Sequence, residues 1–176
     1  MIDFSRNHFE LFGLPASFAV DAATLDRAWR ELQAEVHPDR HAAADDASRR
    51  LALQASARVN EAYRTLKDPV ERGRYLLHLR GIDGFDETDT RLALAFLEAQ
   101  LERRERAAEA SEAGDVGALD DLVAQIRAES RERERELADL LAGAGDGARA
   151  TAVLREMRFL AKVAEDVSAM VEALDP

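Results

Sequence analysis

The stretch TLDRAWRELQAEVHPDRHAAADD, residues 24–46, decides how the chain is read. Leu25, Ala28, Trp29, Leu32 and Val36 recur at steps of three and four, so a helix places them on one side, as a core stripe. Asp21 starts it well: its carboxylate can accept a backbone N–H two or three residues on, and Val20 and Leu25 occupy the positions of a hydrophobic staple. Pro38 lacks a backbone donor and biases His37 away from helical geometry, so an exposed loop begins at His37-Pro38-Asp39 and lasts to about Asp45. A further helix follows, with Leu51, Ala55, Val59, Ala62 and Leu66 on a stripe that can pack antiparallel against the first. Two helices thus hold the loop between them.

Before this pair, a short helix is expected over roughly Asn7 to Leu11, stopped at Gly13-Leu14-Pro15. After the helix pair, Asp68-Pro69-Val70-Glu71 combines an Asp cap, a proline at the first helical position and an early Glu, a strong helix start. That helix carries Tyr75, Leu76, Leu77 and Leu79 and runs to Gly81. The polar, glycine-containing segment Ile82 to Asp89 is taken as the boundary between units 1–80 and 88–176. From about Thr88 three helices are expected, separated at Ala113-Gly114-Asp115 and across Ala142 to Gly147, because clustered glycine raises the entropic cost of helix. Short connections make neighbours antiparallel, hence a three-helix bundle. Val153, Met157, Leu160, Ala164, Val167, Val171 and Leu174 mark the core stripe of its last helix. The run Arg131 to Glu136 alternates in charge and is read as a solvated face.

Composition agrees with an all-α chain. Only 9 Gly and 4 Pro in 176 residues, with many Ala, Leu, Glu and Arg, favour ordered helices. A net charge of -11 disfavours nucleic acid and anionic membranes as partners and points to proteins. With no cysteine the chain cannot hold an iron–sulfur cluster or zinc through thiolates, and no cofactor or metal is expected. The opening MIDFSRNHFELFGLP has no basic segment leading into a long apolar run, so a cytoplasmic location is expected.

The helix-loop-helix around His37-Pro38-Asp39, the ending Asn60-Glu61-Ala62-Tyr63-Arg64-Thr65-Leu66 and the opening Phe9-Glu10-Leu11-Phe12-Gly13-Leu14-Pro15 together resemble the J domain, over about the first 75 residues. A carboxylate on a proline-stiffened loop loses little entropy on docking and can accept a charge-assisted hydrogen bond from a partner arginine, which is the role expected for Asp39. Projection at 100° per residue turns Arg27, Arg30 and Ala34 away from the core stripe. With Arg40 at the loop, these arginines suit the acidic chaperone surface that the resemblance implies, diluted by Asp26, Glu31 and Glu35.

In the second half Leu92, Leu94, Phe96, Leu97 and Leu101 are more apolar residues than one stripe requires, so some must face outward. Leu97, Leu101 and Glu105 share a line, with Glu98 and Glu102 beside it, an apolar strip rimmed by carboxylates of the kind that binds a partner. Phe159 lies roughly 110° off the last helix's stripe, at the margin of core and interface. With the segments from Phe96 to Glu105 and from Leu154 to Leu160, nearly the whole chain resembles the HscB co-chaperones of iron–sulfur cluster assembly. That resemblance implies an L-shaped protein whose J domain stimulates the ATPase of the DnaK-type chaperone HscA and whose bundle binds the scaffold protein IscU. Carried over position by position, the chaperone-binding residues are His37, Pro38, Asp39, Arg27, Arg30 and Arg40, and the scaffold-binding residues are Leu97, Leu101, Glu102, Glu105 and Phe159. Glu98 departs from the family, which commonly has an apolar residue there.

Two rivals compete. His37, Asp39 and His41 could form a metal or acid–base cluster, since three ligands plus water suit catalytic zinc, although Pro38 and the lack of a nearby supporting group weigh against it. Alternatively, a general J-domain co-chaperone for protein folding would use the bundle only to dimerise or as a spacer, which leaves the apolar excess from Leu92 to Leu101 without a reason.

Overall fold

The computed structural model describes residues 3–37, 45–82, 92–143 and 145–174. The described residues form helices and no strands, and they fall into two compact units, Met1–Arg80 and Gly81–Pro176.

In the first unit α1 (His8–Leu11) is a single turn capped reciprocally by Asn7 and Glu10, and Gly13 closes it at φ 65°. α2 (Ala22–Val36) starts where Asp21 accepts the Thr24 N–H at 2.8 Å. α3 (Asp46–Lys67) is capped in the same way by Asp45 on Ser48. Polar pairs between them fix an antiparallel register: Asp26 with Tyr63, Trp29 with Asn60 and Gln33 with Ser56, numbers rising on one helix as they fall on the other. α4 (Pro69–Leu79) begins at Asp68, which accepts from both Val70 and Glu71.

Leu25, Val36, Ala55, Val59, Ala62 and Leu66 are buried, while Ala28, Trp29 and Leu32 are half-buried. Leu51 is a correction to the sequence reading. It is exposed and lines a surface cavity with Leu11, Leu32 and Val36, and Ala52 takes the core position. Residues three and four before Ala55 fit the helical period equally well, so the period alone does not choose between Ala52 and Leu51. Leu79 is likewise exposed, leaving Leu76 and Leu77 to pack.

His8 is buried beneath Tyr75, its ring stacked at 4.1 Å and its main-chain N–H donating to the Tyr75 hydroxyl at 3.1 Å. Burial, aided by the charge of Arg58, lowers its pKa from 6.5 to about 4. The unfolded chain therefore takes up a proton between these values that the folded chain refuses. The stability is fully present above pH 6.5 and is lost as pH falls towards 4, by about 3 kcal/mol at most. His8→Phe removes this linkage while keeping an aromatic ring. Urea denaturation at pH 7 and 4.5 is expected to show the variant losing about 2 kcal/mol less than the parent, and equal losses would contradict this account of His8.

The second unit contains α5 (Leu94–Ala113), α6 (Val116–Ala142) and α7 (Gly147–Leu174). Gly114, at φ 68°, ends α5 in the left-handed conformation, and Asp115 caps α6 through the Ala118 N–H. α5 starts at Leu94, later than the expected Thr88, with Leu92 and Ala93 outside the helix; residues 83–91 lie outside the described set. All three helices pack on one another around Phe96, Ala107, Leu119, Leu122, Ile126, Leu160, Val163 and Val167. Of the expected α7 stripe, Ala164 and Val171 are only half-buried and Leu174 is exposed at the helix end, whereas Leu154 and Val163 join the core.

The charge run departs most from expectation. Arg131, Glu132 and Arg135 are exposed, but Arg133 and Glu136 belong to a half-buried network that joins the three helices. Gln100 accepts from Arg103 at 2.6 Å, and Arg103 reaches Glu129 at 2.7 Å. Arg133 lies 3.8 Å from Glu129 and 2.5 Å from the buried Glu156, while Arg149 bridges Glu136 at 2.6 Å and Glu156 at 3.3 Å. Three arginines balance three carboxylates, which is what makes burial of Glu156 tolerable.

Candidate functional sites

The first site lies on α2 and on His37 at its end. Trp29 stacks on Tyr63 at 4.7 Å and donates through its indole N–H to Asn60 at 3.1 Å, fixing how α2 is rotated on α3. That rotation exposes Arg27, Arg30 and Ala34 together on the outer face. His37 ends α2 in a non-helical conformation, φ -59° and ψ 128°, and is exposed, in keeping with the restriction a following proline imposes. Pro38, Asp39 and Arg40 lie outside the described residues, as does His41 of the metal reading. Among the described residues no group of three His, Cys, Asp or Glu side chains is placed to hold a metal ion.

The second site lies on α5 and the face of α7 beside it. Phe96, Gln100, Ala107 and Ala110 face inward, and the Gln100–Arg103–Glu129 chain fixes this rotation from the buried side. The opposite consequence is a run of exposed leucines: Leu94 at 72%, Leu97 at 41% and Leu101 at 60% of full accessibility. Such a cluster cannot be assigned to the core of this unit. Glu98, Glu102 and Glu105 are exposed along its edge.

Phe159 is half-buried, edge-on to Phe96 with centroids 5.8 Å apart. It thus belongs partly to the core while remaining next to α5. Arg104, which sequence reasoning passed over, places its guanidinium 5.6 Å from the Phe159 ring centroid. The signal for it was present in the spacing, since Arg104 follows Leu97 by seven residues and falls on the same line of α5. Phe159 therefore meets α5 through Phe96 and Arg104, and Leu97 and Leu101 are exposed on that same helix.

Known proteins divide the chain along the same lines. A DnaJ domain model matches residues 7–75, and a model described as the HSCB C-terminal oligomerisation domain matches residues 93–168. A co-chaperone protein HscB homolog from Ralstonia nicotianae is 50% identical over 171 residues, covering 97% of both chains. The solved structure of the chaperone HscB from Vibrio cholerae matches with a TM-score of 0.86 and 35% identity, covering 96% of this chain and 99% of that one. Human co-chaperone HscB matches with a TM-score of 0.85 and 31% identity, over 96% of this chain and 83% of that one. These relatives are co-chaperones rather than enzymes. A J domain joined to an HscB-type carboxy-terminal helical domain, with half of all residues shared along nearly its full length, makes this chain a member of the HscB family of J-domain co-chaperones.

Proposed function

We propose that the chain delivers the iron–sulfur scaffold protein IscU to the DnaK-type chaperone HscA and stimulates HscA's ATPase during cluster maturation, working in the cytoplasm. Residues 1–80 serve the chaperone, through His37, Pro38, Asp39, Arg27, Arg30 and Arg40. Residues 88–176 serve the scaffold, through Leu97, Leu101, Glu102, Glu105 and Phe159.

The observation that carries the reading is the row of exposed leucines on α5, whose inner face is already filled. Exposed leucines grouped on one helix face leave water only when a partner covers them. Glu98, Glu102 and Glu105 at the rim favour a partner with basic groups opposite. The iron–sulfur cluster is then cargo on the scaffold, consistent with a carrier that has no cysteine.

The family model's description favours a second reading, in which the bundle assembles with another copy of itself. A two-fold pairing through this strip would set carboxylates against carboxylates, within a chain of net charge -11. Calorimetric titration of the full chain with IscU decides between them. A one-to-one complex formed by a monomeric chain supports delivery; no scaffold binding, or binding blocked by self-association through the strip, refutes it.

A further inference from the structure

Asp26 stands four residues before Arg30 on α2, the acid-first order in which a helix favours an ion pair between the two side chains. In the structure the carboxylate turns across to α3 instead. The Tyr63 hydroxyl donates to Asp26 Oδ1 at 2.7 Å, and Lys67 Nζ lies 3.6 Å from the same oxygen. Lys67 also donates to the Tyr63 hydroxyl at 2.5 Å and sits 4.9 Å from its ring centroid. The ring itself is held by its stack on Trp29, so the hydroxyl is fixed before Asp26 reaches it. Arg30 meanwhile donates through Nε to the main-chain carbonyl of Asp26 at 3.1 Å, and among the described residues no ion pair joins the two side chains.

The titration behaviour of these groups agrees with that geometry. The Tyr63 hydroxyl, and after it the charge of Lys67, holds the Asp26 carboxyl below its ordinary range. Lys67 is raised, first by Tyr63 and then by Asp26.

We propose that Tyr63 and Lys67 are positioning residues for chaperone recognition: by holding the Asp26 carboxylate against α3, they leave Arg27 and Arg30 available to acidic groups of the partner. This rests on the reading that the basic face of α2 meets HscA. Among the described residues no hydrogen bond or ion pair of this kind holds Glu31 or Glu35, the other acids that dilute this face.

Tyr63→Phe tests it, since phenylalanine keeps the ring and its stack while removing the hydroxyl. The readout is the steady-state ATPase of HscA titrated with the full chain at low salt. The half-maximal concentration is expected to rise about two- to fivefold, the range open to an exposed ion pair, at an unchanged maximal rate. Asp26→Asn added to Tyr63→Phe restores the parental value, because the released carboxylate is gone. About 0.5 M salt closes the gap between Tyr63→Phe and the parent. A purely structural role for Tyr63 gives a loss that neither Asp26→Asn nor salt reverses, and that result, or no shift at all in Tyr63→Phe, overturns the proposal. Arg27→Ala/Arg30→Ala is run alongside. An unchanged half-maximal concentration in that variant overturns the basic-face reading itself, whereas a loss there without one in Tyr63→Phe overturns only the role of Tyr63 and Lys67.

Discussion

Asp39→Asn is expected to abolish stimulation of the chaperone's ATPase while leaving scaffold affinity within about twofold of the parent. The substitution keeps the size of the side chain and removes the charge, so it tests the carboxylate itself. A carboxylate that accepts a charge-assisted hydrogen bond from a partner arginine is worth about 2–5 kcal/mol when its loss strands the other charge, which corresponds to roughly thirtyfold or more. Pro38 beside it adds to this, because a proline fixes its own φ and so lowers the entropy lost on docking. Scaffold binding is assigned to residues 97–159 of the other unit, and so it should not change. Steady-state ATPase and calorimetry on the same preparation check both halves of the expectation. Surviving stimulation would remove Asp39 from its assigned role.

Leu97→Ala/Leu101→Ala carries the second large effect. Both leucines are exposed, at 41% and 60%, so truncation leaves the bundle core intact and should alter stability by no more than about 0.5 kcal/mol. At the centre of an interface each would act as an apolar anchor, together worth about 3–4 kcal/mol, or a hundredfold or more in Kd. Stimulation by the variant without scaffold should equal that of the parent. Phe159→Ala differs in kind: its ring packs edge-on against Phe96, so it loses stability as well as affinity. A double leucine variant that binds scaffold like the parent would show that the strip serves some other partner.

The sequence made the first unit legible because its signals are local. Asp21, Asp68 and the proline after His37 act within a few residues, and the structure places helix ends beside each of them. Leu51 escaped because the helical period alone does not choose between it and Ala52, and the choice is made by tertiary packing that no local signal encodes. The α5 strip was legible as an excess of leucines with Leu97 and Leu101 on one line, and both are exposed; what the sequence left open was Leu94, the most exposed of the three, and the Gln100–Arg103–Glu129 chain on the inner side. That chain closes through a long-range electrostatic contact. Arg133 and Glu136 were hidden for the same reason, since their partners Arg149 and Glu156 lie on another helix and an alternating charge run reads equally well as solvated. Asp26 reads on α2 as a diluting acid, and only the approach of Tyr63 and Lys67 from α3 gives it a different part.

If one chain couples a scaffold to a chaperone, the coupling is read from the steady-state ATPase of HscA with the chain and IscU added separately and together. Two ligands that favour the same chaperone state, one at the nucleotide-binding lobe and one at the peptide site, stimulate cooperatively. The expected combined stimulation is greater than the product of the separate ones, and Asp39→Asn reduces it to the scaffold's own effect. A combined rate no larger than the sum of the separate stimulations would contradict it.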